Sequence, residues 1–137
     1  MRTDEPLFLT RAQVERLHDM GLARFGGSSG IRDEGLIDSA LASAKNASFY
    51  GRGDLFDIAA AYAFHLAEAQ AFADGNKRTG IGAALTFLEL NDVRATPDDD
   101  TLYDAMIAIA KKQLNKAGLA AMLREHAKKR GRTVGIS

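Results

Sequence analysis

The sequence predicts an all-α fold, a compact bundle of about six helices, and three observations carry that prediction. Only two prolines, Pro6 and Pro97, interrupt 137 residues, so long stretches are free of the residue that breaks helices. Apolar residues recur at three- and four-residue steps through most of the chain, the period of a helix with one buried face. No apolar–polar alternation, the mark of a half-buried strand, runs longer than Leu7–Leu9.

Four of the helices have their own start signals. Thr10 is the expected N-cap of the first, and Val14, Leu17, Leu22 and Phe25 supply its apolar stripe. The turn formers Gly26-Gly27-Ser28-Ser29-Gly30 end it. Asp33 caps a second helix with a core face of Leu36, Ile37, Ala40, Leu41 and Ala44, followed by a loop over Asn46–Gly53. Asp54 opens a third, in which Ile58, Ala61, Tyr62, His65, Leu66 and Ala69 recur periodically. A short break at Phe72-Ala73-Asp74-Gly75 leads into a fourth, marked by Ile81, Ala84, Leu85 and Leu88 and ending near Asn91. Asp98, Asp99 and Asp100 suit the positive N-terminus of a fifth helix, lined by Leu102, Met106 and Ile109. The last carries Leu119, Met122 and Leu123.

The length fits a single domain over 1–137, with a core from about 7 to 125 and a basic, frayed tail over 126–137. Eighteen Lys and Arg balance eighteen Asp and Glu, which excludes a bulk electrostatic binder of nucleic acid, so no direct nucleic-acid contact is expected. The basic run Lys128–Arg132 reads as a solubilising terminus. Without cysteine there are no disulfides, thiolate zinc sites or thiol nucleophiles. No apolar run approaches the ~18 residues of a membrane span, and Asp4, Glu5 and Pro6 interrupt any signal-peptide core. A cytoplasmic protein is expected.

One segment does not read as structure alone: Gln70-Ala71-Phe72-Ala73-Asp74-Gly75-Asn76-Lys77-Arg78-Thr79-Gly80. Lys77 and Arg78 fall in the first turn of the fourth helix, where cations oppose the macrodipole by ~0.3–1 kcal/mol each. Gly80 and Gly82 follow inside the helix, each ~1 kcal/mol worse than alanine. An anion resolves the conflict. Free N–H groups at the helix start can donate to an oxyanion, Lys77 adds a point charge, and Arg78 adds a forked donor suited to phosphate. Asp74 brings a carboxylate able to hold magnesium bridging phosphates. The blander readings are solvated cations at a helix start, Asp74 as a capping acid, Phe72 as a core plug, and Gly80 and Gly82 as aids to close helix packing. On the dipole argument, removing Lys77 or Arg78 abolishes nucleotide binding and preserves or raises thermal stability. The segment is not a Walker loop, because Ile81 stands where lysine is required.

Gln70–Gly80 resembles the central motif of the Fic/Doc family, and specifically its Doc (death-on-curing) toxin branch, His-x-Phe-x-x-(Ala/Gly)-Asn-Lys-Arg-Thr. Phe72, Gly75, Asn76, Lys77, Arg78 and Thr79 fit it, and Lys77 separates this branch from the AMP-transferring Fic branch, which has glycine there. Leu17-His18-Asp19, Phe25-Gly26-Gly27, Gly30-Ile31-Arg32-Asp33, Leu36–Leu41 and Leu85–Asn91 extend the similarity over Leu7 to Thr96. The resemblance implies a helical bundle with its active site between two central helices. It further implies phosphoryl transfer from ATP to a threonine of elongation factor Tu, which halts translation, and a Phd-like antitoxin as partner. Carried over residue by residue, Asp74 coordinates Mg2+, while Gly75, Asn76, Lys77 and Arg78 bind the nucleotide. Gln70, Asp74, Lys77 and Arg78 form the catalytic set, and the Gly26–Gly30 loop corresponds to a flap over the target peptide.

The sequence departs from the motif at its leading histidine, which is Gln70 here. In the family that histidine takes the proton of the target hydroxyl. A glutamine amide cannot, and losing a general base typically costs ~10²–10⁴-fold. Two alternatives therefore stand beside a working toxin: a catalytically weakened or silent nucleotide- and antitoxin-binding relative, and a Fic-type AMP transferase. His65 is no substitute, because five helical residues rotate it ~140° from Gln70, and it reads as a satisfied core histidine. His18 and His126 carry no special signal.

Overall fold

The computed structural model describes residues 6–50, 54–95 and 97–136, with side chains for all of these except 48–50, 99 and 128–136. Six helices run in order: α1 (Arg11–Phe25), α2 (Glu34–Tyr50), α3 (Leu55–Ala69), α4 (Asn76–Leu90), α5 (Asp99–Ala110) and α6 (Lys116–Ile136). No strand forms among the described residues, and the all-α expectation holds.

The expected caps close the helices locally. Thr10 accepts from the Gln13 N–H while the Gln13 side chain accepts from the Thr10 N–H, a reciprocal box that satisfies two otherwise orphaned donors. Asp54 and Asp57 make the same arrangement at α3. Asp33 accepts from the Gly35 and Leu36 N–H groups, and Asp98 from that of Thr101.

α3 sits at the centre. Ile58 through Ala63 and Leu66 are buried, so the helix is covered on nearly every side. It packs most extensively on α4, to which the turn 70–75 joins it, and then on α2 and α6, while α1 lies on α4. The Leu7–Leu9 alternation is real without a sheet: Leu9 is buried and Leu7 exposed. Side chains satisfy this segment's backbone instead, the Asn91 amide bracketing Leu7 and the Tyr62 hydroxyl accepting from the Leu9 N–H.

The structure corrects four details. α2 continues through 46–50, which sequence reading gave to a loop, because Ala47 extends the Ala40 and Ala44 stripe against the core. Leu36 is exposed, one helical step off the Ile37–Ala40–Ala44 face. Phe25 is also exposed, at the last turn of α1, flanked by the Arg24 and Arg78 guanidinium groups at 5.1 and 5.4 Å from its ring centre. α6 is helical to Ile136, past the point where a frayed tail was expected. The side chains of the basic run Lys128–Arg132 lie outside the described residues. No helix among the described residues is long and apolar enough to cross a membrane.

Candidate functional site

The turn between α3 and α4 is held from both sides. Gln70 ends α3 in the left-handed conformation (φ 51°, ψ 45°), and its carbonyl accepts from Arg32 Nη1 at 3.2 Å. The chain then runs extended through 71–73 against the loop that follows α1. Arg32 N–H donates to the Ala71 carbonyl at 2.6 Å, Ala73 N–H donates to that of Gly30 at 3.0 Å, and Ile31 pairs with Phe72 in an antiparallel bridge. The Gly26–Asp33 loop therefore docks along the motif. Gly75 carries φ 77°, and a Cβ there would lie 2.9 Å from Arg78 Nη2, so both backbone and space favour glycine.

Four side chains complete the turn. The Asn76 amide faces inward, its oxygen accepting from the Phe72 N–H and its nitrogen donating to the Phe72 carbonyl, both at 3.0 Å. Asn76 thus braces the turn with one amide N–H and its amide oxygen, and these bonds leave its second amide N–H and its main chain for a ligand. Asp74 is exposed; its Oδ1 accepts from Gly75 N–H at 2.8 Å and its Oδ2 from Ser28 N–H at 3.2 Å. The bonds from Ser28 and Gly75, with the Arg78 guanidinium nearby, hold its carboxyl below the ordinary carboxylate range, so it is ionised at neutral pH. Arg78 is half-buried: Nη2 donates to the Gly26 carbonyl at 3.1 Å, and Nε is buried with no hydrogen-bond partner among the described residues. Lys77 is exposed.

All six expected site residues, Gln70, Asp74, Gly75, Asn76, Lys77 and Arg78, line one cleft of ≈280 Å³. Among the described residues no side chain caps α4, and its first turn holds no acid. Unengaged donors, a positive helix end, an ammonium and a guanidinium converge there, which is the chemistry of an anion site. Lys77 and Arg78 also rim a larger cleft of ≈640 Å³ between α4 and α5, walled by Phe25, Ile81, Tyr103 and Met106. Magnesium fits Asp74, since one ionised, hard carboxylate beside an uncapped helix start matches an ion held by one or two carboxylates plus phosphates and water. No cluster of three or more His, Cys, Asp or Glu side chains suited to a metal occurs among the described residues.

Sequence reasoning missed His18. It is buried, its ring stacks on Phe72 with centroids 3.9 Å apart and planes 13° apart, and Nε2 lies 2.7 Å from the Asp74 carbonyl. The available signal was its position four residues after Val14, on the same helical face. Phe72, 1% exposed, is the core plug expected. His65 is not a core residue: it is half-buried, lines a separate cleft with Ser39 and Glu68, and faces Lys116 Nζ at 3.1 Å. An ammonium only donates, so His65 Nε2 accepts and the ring is neutral. Burial, then Lys116, pushes its pKa down against the opposite pull of Glu68.

The contact of this loop with Asp74 makes a direct prediction. At Gly27 (φ +121°) a Cβ would stand 2.8 Å from Asp74 Oδ2 and 3.1 Å from Leu22 Cδ2. Gly27→Ala is expected to cost ~1–3 kcal/mol and to speed hydrogen exchange at the Ser28 amide. Parent-like stability and exchange would mean that the loop does not dock on Asp74.

Comparison with known proteins places this geometry. The sequence model of the Fic/DOC family matches residues 8–88. "Protein kinase doc" of Escherichia phage P1 is 32% identical over 109 residues, 79% of this chain and 86% of that protein. "Toxin Doc" of Mycolicibacterium smegmatis is 40% identical over 108 residues, 75% of this chain and 82% of that protein. With a family match spanning the motif and the loop docked on it, and relatives aligned over most of both chains, the chain belongs to the Doc branch of the Fic/Doc family.

Proposed function

We propose that the chain is a Doc-type toxin, a phosphotransferase that moves the terminal phosphate of ATP to a threonine hydroxyl of elongation factor Tu and so stops translation. The observation that carries this reading is the uncapped α4 N-terminus, with Asp74, Lys77 and Arg78 gathered in one cleft. The relatives' names, a kinase and a toxin, point the same way. The partner we assign is a Phd-like antitoxin, and the setting is the cytoplasm.

In this reading the phosphates lie against the first α4 amides, with Lys77 and Arg78 balancing their charge, and the nucleoside occupies the neighbouring apolar cleft. Asp74, together with the phosphates, would hold magnesium, which would supply further charge neutralisation there. The Gly26–Gly30 loop acts as the flap over the target peptide. Transfer breaks the bond between the γ-phosphorus and the ADP oxygen and forms one to the threonine oxygen, and the hydroxyl proton leaves to water or a phosphate oxygen. Gln70 accepts a hydrogen bond from the hydroxyl and orients it, without taking the proton. Most of the work in such a loose transition state is positioning and charge stabilisation, which this cleft provides without a histidine.

One observation favours a second reading, a nucleotide-binding relative that does not transfer phosphate: among the described residues no histidine lines the cleft. Intact mass of elongation factor Tu, incubated with the protein, magnesium and ATP, separates the two. A phosphate-sized gain supports the toxin, and an AMP-sized gain would mean the Fic-type reaction. ATP binding without either gain would mean the silent relative.

The two cations differ in their expected effects. Lys77→Ala removes an exposed cation from a helix start, so ATP affinity is expected to fall at least tenfold with thermal stability kept or raised by ~0.3–1 kcal/mol. Arg78→Ala is expected to lose affinity and stability together. It removes the bond to Gly26 and the contact with Phe25, where a charged hydrogen bond of ~1.5–3 kcal/mol outweighs the dipole relief. Unchanged ATP affinity in both variants would end the phosphate-cradle reading.

A further inference from the structure

The peptide linking Asp74 to Gly75 is held at both ends. Its N–H donates to Asp74 Oδ1 at 2.8 Å, and its carbonyl lies 2.7 Å from His18 Nε2. A carbonyl only accepts, so Nε2 carries a proton, in the neutral Nε2–H tautomer or in the cation alike. The ring is fixed by more than this bond: it is 3% exposed and stacks on Phe72, whose own backbone is clamped by the Asn76 amide. Gly75, just after this peptide, is left-handed, and a glycine meets little resistance to a flip of the plane before it. A flip would swing the Asp74 carbonyl toward its own carboxylate and the cleft, setting a negative dipole against any anion at the α4 amides.

The geometry points to His18 as a positioning residue: from α1 it fixes the plane of the Asp74–Gly75 peptide and so keeps the entrance of the cleft electropositive. This rests on the nucleotide reading above, and its test separates the two. His18→Phe keeps a ring for the Phe72 stack and removes the donor. His18→Gln places an amide N–H at the reach of Nε2 and removes the stack. The measurements are thermal stability, ATP–magnesium affinity by calorimetry, and amide hydrogen exchange at 74–78 in the ligand-free protein.

His18→Phe is expected to lose at least tenfold in affinity and to exchange the Gly75 and Asn76 amides at least tenfold faster. His18→Gln is expected to keep affinity within about threefold of the parent, although it melts at or below the temperature of the Phe variant. A merely packing role predicts the reverse order, with affinity following stability, and that order would overturn the inference, as would parent-like exchange in His18→Phe. Should the parent itself fail to bind ATP while the exchange difference appears, the positioning role stands and the nucleotide reading falls.

Discussion

Histidine in place of Gln70 is expected to raise the rate of phosphate transfer by ~10²-fold, the lower end of what a general base contributes. The low end follows from the chemistry, since the attacking hydroxyl is little deprotonated in a loose transition state. The backbone favours the exchange. Residue 70 has φ 51°, a left-handed conformation in which histidine is several-fold enriched among non-glycine residues. Its side chain lies on the rim of the cleft that holds Asp74 and Lys77, so the new imidazole would face the phosphate site. ATP affinity is expected to stay within about threefold, because a base acts in the transition state and not on the bound nucleotide. The check is the rate of phosphate gain on elongation factor Tu, with the His variant and the parent side by side and Lys77→Ala as the blank. Equal, measurable rates would mean that orientation by the amide suffices. Gain only in the variant would mean that the parent binds without transferring.

Features decided within one turn of chain were legible in the sequence. Thr10, Asp33, Asp54 and Asp98 cap their helices because a short oxygen side chain reaches an amide two or three residues on, whatever the rest of the fold does. The site was legible for a related reason. Lys77 and Arg78 at a helix start violate the dipole rule in sequence, and that conflict needs no tertiary structure to be seen.

Where contacts come from distant residues, local reading failed. Arg78 reads as a solvated cation whose removal relieves strain. The end of α1 brings Phe25 and Gly26 to it across more than fifty residues of chain, as the separation of 52 between Arg78 and Gly26 records. His18 has the same origin: its partners, Phe72 and Asp74, belong to a turn that meets α1 only through the packing of α1 on α4. His65 erred in the other direction: it is only half-buried, and its partner, the ammonium of Lys116, arrives from α6.

The two glycines of α4 are expected to respond to the same substitution with opposite signs. In helix interiors Gly→Ala gains ~1 kcal/mol from propensity alone, and Gly82→Ala should realise that gain, since a Cβ there meets nothing within 4 Å. At Gly80 a Cβ would stand 2.7 Å from the Ala63 carbonyl oxygen and 3.3 Å from Ala63 Cα. Those atoms are main chain of the central helix and cannot rotate aside, so α3 and α4 must separate over their closest approach. Overpacking of a well-packed core costs typically ~1–3 kcal/mol and occasionally more. With every obstructing atom in the Ala63 main chain, the cost belongs at the top of that range and outweighs propensity, leaving a net loss of ~2 kcal/mol or more. Urea and thermal denaturation of the two variants test this: Gly82→Ala melts a few degrees above the parent, Gly80→Ala well below it. Adding Ala63→Gly to Gly80→Ala separates the causes, because trimming the Ala63 side chain leaves the carbonyl in place and should restore nothing. A stable Gly80→Ala, or rescue by Ala63→Gly, would show that side chains and not backbones set the α3–α4 distance. Because the turn 70–75 spans the ends of these two helices, the same variant should also loosen the cleft, and a parallel fall in ATP affinity would tie the closeness of the helix pair to the geometry of the site.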